Sequence, residues 1–112
     1  DYSNMGSMEK LSRETKGLLH EIHNGLTFVE RASVEQADPI ERKLTEQINT
    51  VFKNCERLEY LVKKEPPNRR EEAKLHVDKM KYDCRHLESA LHGIQQKRFV
   101  DFPIKSCCAT YD

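Results

Sequence analysis

Two histidines three residues apart, His20 and His23, and four cysteines, Cys55, Cys84, Cys107 and Cys108, are the side chains here whose types suit metal binding or nucleophilic attack. Neither set completes a site. Two imidazoles on one helix face fall short of the four ligands of a closed zinc site. The His-Glu-x-x-His arrangement is absent, and no Glu is followed three residues later by His, the pairing that di-iron bundles use. The histidines therefore read as solvated. Cys55 and Cys84 fall where cysteine acts as a small apolar filler, without a spaced second cysteine or an activating set. Cys107-Cys108 could accept lipid, but no prenylation box ends the chain and no basic cluster accompanies them, so they read as incidental. Glycine-rich phosphate loops and nucleophile elbows are absent too. The sequence thus offers no catalytic, cofactor-binding or metal-binding residue and no cofactor, and an enzyme is not expected.

Charge narrows the partners. Lys plus Arg and Asp plus Glu number 19 each, so the chain lacks the one-sided field that draws a domain to phosphate backbones, and nucleic acid is not an expected partner. Charged residues make up 34% and aromatics 7%, the profile of long solvated helices with a narrow apolar seam. No run approaches the ~18 apolar residues of a membrane span, and no signal peptide is visible. A soluble single domain in a reducing, cytosolic setting is expected.

The elements that must carry any surface are three helices. Asp1 to Ser7 has no periodicity, and Gly6-Ser7-Met8 resembles an expression junction, so residues 1–7 are set aside and the native start is expected at Met8. Leu11, Thr15, Leu18, Ile22, Gly25 and Val29 then recur at four-three spacing, widened by Leu19 and Leu26, which predicts a helix over 8–33. Asp38-Pro39-Ile40-Glu41 reads as the start of a second helix over 39–64, with Asp38 as cap, Pro39 in the first turn and Glu41 closing a capping box. Its seam is Leu44, Ile48, Val51, Cys55, Leu58 and Val62, flanked by Phe52 and Leu61. Pro66-Pro67 ends it. Asn68-Arg69-Arg70-Glu71 repeats the capping pattern and opens a third helix over 69–98, seamed by Ala73, Val77, Met80, Cys84, Leu87, Leu91, Ile94 and Arg98. Beyond Arg98 the apolar, proline-broken stretch reads as a disordered tail, 99–112. Short connections force sequential helices to run antiparallel, giving an all-α up-down three-helix bundle over 8–98.

Arg69 and Arg70 in the first turn of the third helix oppose its dipole. A partner's carboxylate would explain them, or Glu71 and Glu72 neutralise them. Tyr60 and Tyr82 read as half-buried rim residues.

The segment around the second linker is the most specific in the chain. Leu58-Glu59, Lys64-Glu65-Pro66-Pro67-Asn68-Arg69-Arg70, Val77-Asp78-Lys79-Met80-Lys81-Tyr82-Asp83 and His86-Leu87 resemble the membrin family of Qb-type Golgi SNAREs, Bos in yeast. Met8 to Ile22, with Leu11, Thr15 and Glu21-Ile22, is similar to the start of the same family, so the resemblance covers about Met8 to Arg98. Lys79 and Met80 depart from it, standing where Gln and Leu are expected. The resemblance implies an Habc-like N-terminal regulatory and recruiting domain on the cytosolic face of Golgi and endoplasmic reticulum membranes. It would act in ER-to-Golgi and intra-Golgi vesicle transport and membrane fusion. It implies protein partners: Golgi syntaxin (Qa), Qc and R SNAREs through the full-length protein, and coat or tether factors. Fusion itself would need a downstream helix and membrane anchor absent from this chain. The candidate partner-binding residues are Lys64, Glu65, Arg69, Arg70, Lys81 and Tyr82, and the isolated domain is expected to be a monomer. The alternative reading is a structural spacer or homodimerising coiled coil.

Overall fold

The computed structural model describes the backbone of residues 6–111 and the side chains of residues 6–98. It contains three helices, α1 (Ser7–Arg31), α2 (Val34–Val62) and α3 (Pro67–Tyr111), and no strand among the described residues. Contacts fix the directions. Gly25 of α1 lies against Leu44 of α2, while Thr15, earlier in α1, meets Asn54, later in α2, so the two run antiparallel. Glu59 of α2 reaches Lys81 of α3, whereas Glu41 reaches Gln95 and Arg98, so this pair is antiparallel as well. α1 and α3 are therefore parallel.

The predicted seams form the core. Leu44, Ile48, Val51, Cys55, Leu58 and Val62 of α2 are all buried, as are Thr15, Ile22, Leu26 and Val29 of α1 and Ala73, Val77, Met80, Cys84 and Leu91 of α3. Leu11, Leu18, Leu19, Phe52, Leu87 and Ile94 pack around them half-buried. Each fully buried aliphatic side chain contributes about 1.5–3 kcal/mol, so these stripes dominate the stability. Gly25 serves a close approach: a Cβ there would sit 2.6 Å from Leu44 Cδ2. Thr15, the polar member of its stripe, donates its hydroxyl to Leu11 O at 2.7 Å and accepts from Asn54 Nδ2 at 3.2 Å. That satisfies a hydroxyl which would otherwise be costly to bury.

Both predicted caps are displaced. α2 begins at Val34, not at Pro39, because Ser33 and Gln36 form the capping box: Gln36 N donates to Ser33 Oγ at 3.3 Å and Ser33 N donates to Gln36 Oε1 at 3.4 Å. Pro39 is tolerated inside the helix, and the early start buries Ala37 completely. Asp38 instead makes an exposed pair with Arg42 at 3.4 Å. Glu41 turns inward, 7% exposed, accepting from Gln95 Nε2 at 3.1 Å and pairing with Arg98. α3 starts at Pro67, whose missing N–H suits a first helical position. The Pro66 carbonyl, not Asn68, accepts from Arg69 N at 2.9 Å and Arg70 N at 3.0 Å.

The helical backbone of α3 also runs past Arg98 to Tyr111. Pro103 removes one backbone donor without ending the helix. The expected tail falls on residues whose side chains lie outside the described set.

Ser33→Ala is expected to cost about 1 kcal/mol, and Asp38→Ala under ~0.5 kcal/mol. Urea unfolding separates them, and equal losses would restore Asp38 as the cap. Glu41→Ala, which strands Arg98 and Gln95, is expected to cost about 2–3 kcal/mol in the same assay.

Candidate functional site

The structure gathers four of the six candidate partner-binding residues at the α2–α3 turn. Lys64 Nζ lies 4.9 Å from the centroid of the Tyr60 ring. Arg70 NH2 donates to the Glu65 carbonyl at 3.0 Å, an end-of-turn bond that explains a cation where the helix dipole disfavours one. Glu72 does not neutralise the arginines; its carboxylate stands 3.8 Å from His76 Nε2. Arg69 is exposed.

Lys81 and Tyr82 are elsewhere. Eleven residues of helix place Lys81 roughly 16 Å from Arg70 along the axis. Lys81 Nζ faces α2 and pairs with Glu59 Oε2 at 2.9 Å. Tyr82 points away from α2, its hydroxyl 3.0 Å from His86 Nε2 and the two rings edge-on at 4.7 Å. Tyr60 and Tyr82 are 58% and 60% exposed, so neither is a half-buried rim residue. The six candidates do not make one site.

Between α1 and α3 the structure opens a groove of about 650 Å3. Leu19, Met80 and Leu87 supply its apolar part. Lys16, His20 and His23 line it from α1, and His76, Lys79, Asp83 and His86 from α3. A second hollow of about 330 Å3 shares Lys16 and His76 with the first and carries the groove on to Met8, Arg13, Ala73 and Val77. Parallel helices keep the two walls in register over this length. Each histidine is individually unremarkable in sequence; the signal that could have found the groove is the repeat of Arg13, Lys16, His20 and His23 beside one seam and of His76, Lys79, Asp83 and His86 beside another.

Nucleophilic chemistry finds no support at the thiols. Cys55 and Cys84 are buried and free, and Cys84 Sγ donates to Ile48 O at 3.8 Å. Burial pushes the Cys84 thiol up to about 12, helped by Cys55 and Glu88 and opposed by Arg85. Cys55 is raised as well, by burial first, against the nearby Lys81. A raised pKa withholds the thiolate that reactivity needs. Among the described residues no group of three or more His, Cys, Asp or Glu side chains is arranged to hold a metal ion, and no helix is long and apolar enough to cross a membrane.

Residues 8–100 match the family described as BOS1/GOSR2/MEM11, N-terminal domain. The chain belongs to that family. Its relatives include the mouse Golgi SNAP receptor complex member 2, 41% identical over 93 residues, 83% of this chain and 44% of the mouse protein. A Drosophila melanogaster protein named probable Golgi SNAP receptor complex member 2 is 32% identical over 91 residues, 81% of this chain and 42% of its own length. The Caenorhabditis elegans homolog memb-1 is 29% identical over 91 residues, 80% of this chain and 43% of its own length. The chain thus spans less than half the length of these relatives. No solved structure matches it. The BOS1/GOSR2/MEM11 family is one of Golgi SNAREs, membrane-trafficking proteins that are not enzymes.

The thiols give a pH test. Because folding raises the Cys84 pKa from an ordinary 9.0 to about 12, the folded state holds that proton more tightly than the unfolded chain. The stability this provides is complete below pH 9.0 and is lost as pH climbs from there toward 12. The urea midpoint is expected to fall between about pH 8 and about pH 10.5. The fall should be smaller in Cys84→Ala, which is itself less stable at the lower pH. An identical pH dependence in both proteins would contradict it.

Proposed function

We propose that this chain is the N-terminal regulatory and recruiting domain of a Golgi Qb-SNARE acting in ER-to-Golgi and intra-Golgi transport, and that the α1–α3 groove is where it docks a partner helix. The observation that carries the reading is the groove itself: half-buried Leu19 and Leu87 over a buried Met80, lying along two parallel helices. An amphipathic helix laid into such a channel buries its own stripe and completes a fourth side of the bundle. Membership of a Golgi SNARE family supports the setting, on the cytosolic face of Golgi and endoplasmic reticulum membranes.

Two modes follow from one groove. Occupied by the fusion helix of its own full-length protein, it would hold that helix away from Qa, Qc and R SNARE partners. Left free, it would recruit a coat or tether factor. The six candidate partner-binding residues keep a smaller place in this reading, with Tyr82 beside His86 and Arg69 exposed at the turn, where it would meet an acidic partner.

The test is amide NMR on the labelled domain with a fusion-helix peptide from a full-length family member, and separately with Qa, Qc and R SNARE helices. Signals of Leu19, His23, Met80 and Leu87 are expected to broaden or shift with at least one of them. Spectra unchanged by all of these helices would remove the groove from the function.

A further inference from the structure

We infer that the α1–α3 groove selects an acidic amphipathic helix, whose carboxylates are held by a basic ridge on α1 facing a histidine-bearing ridge on α3. This rests on the reading of the groove as a helix-docking site and names the chemistry of the helix it takes. Arg13, Lys16, His20 and His23 follow one another at spacings of three, four and three residues, so they stand in one row along α1. All four line the groove and are exposed. None of their side chains has a hydrogen-bond or ion-pair partner among the described residues. A row of donors this long without an acceptor on its own protein is what an incoming carboxylate row would complement.

The opposite wall repeats the spacing with His76, Lys79, Asp83 and His86. Its one acid, Asp83, is taken by Lys79 Nζ at 3.2 Å. His76 has a distant carboxylate, Glu72 Oε1 at 3.8 Å, and His86 faces the Tyr82 hydroxyl. Glu9 is the other acid in the groove, confined to its far end beside Arg13. α2 contributes no side chain to either hollow, so no acid from α2 offsets these ridges.

The dimensions suit a helix. Leu19, Met80 and Leu87 offer an apolar floor between the ridges, which seats a stripe at three-four spacing. Acidic residues one position to either side of that stripe then project over the ridges, where charge-assisted hydrogen bonds to Arg, Lys and imidazole N–H form. A helix with lysine flanks would face the same cations and be repelled, so the ridges act as a filter as well as a grip.

The test uses the whole chain and two labelled synthetic helices of about 20 residues, one with a leucine stripe flanked by glutamates and one with lysines in place of the glutamates. Fluorescence anisotropy is expected to show binding of the acidic peptide only, weakening as salt rises. The double variant Arg13→Glu, Lys16→Glu is expected to weaken it by at least about tenfold, with the helical circular dichroism unchanged because both positions are exposed. Equal binding of both peptides, or binding indifferent to the variant, would overturn the charge selection and leave the docking groove standing. Amide shifts on another face, or binding to anionic vesicles with neither peptide bound, would overturn both readings.

Discussion

An amphipathic helix cannot hide its own stripe. That constraint organises the molecule: three helices each carry an apolar row wide enough to need two neighbours, and only the closed triangle satisfies all three. The magnitudes leave little doubt about rank. A buried leucine or isoleucine contributes about 1.5–3 kcal/mol, while an exposed pair such as Lys79–Asp83 contributes under ~1 kcal/mol. The polar side chains that do enter the core, Thr15 and Glu41, are each held by partners on another helix, so they cost the core little and limit how the helices can slide.

The seams were legible because burial follows a period that local sequence displays. Every seam residue read for α2 is buried in the structure, an outcome of an uninterrupted row with no glycine or proline inside it. The start of that helix departs from its strongest local signal for a physical reason. Asp38-Pro39 is a strong local start signal, yet Ser33 and Gln36 cap the helix more than a turn earlier, and the longer helix also buries Ala37. Glu41 shows the same limit more sharply. Its role is set by Arg98, 57 residues away, a distance at which no local pattern can compete.

The residues that carry the family resemblance proved to be partly structural. Glu65 lends its carbonyl to Arg70, and Lys81 ties α3 to α2 through Glu59; a specific sequence around a linker is needed to turn the chain, whether or not a partner touches it. The groove was hidden for the opposite reason. Its histidines and lysines lie beside the seams, where single residues look like solvated surface, and their alignment becomes visible only once α1 and α3 are known to be adjacent and parallel.

The cross-helix hydrogen bonds and ion pairs described above, from Thr15–Asn54 to Glu41–Arg98, all terminate on α2, as do both interhelical connections. The middle helix is thus the spine of a book whose two covers are not stitched to each other. Prying those covers apart would rupture none of these polar ties, but it would expose the apolar core that α1 and α3 share. That edge therefore resists opening through apolar packing alone, whereas the other two edges add polar latches to theirs.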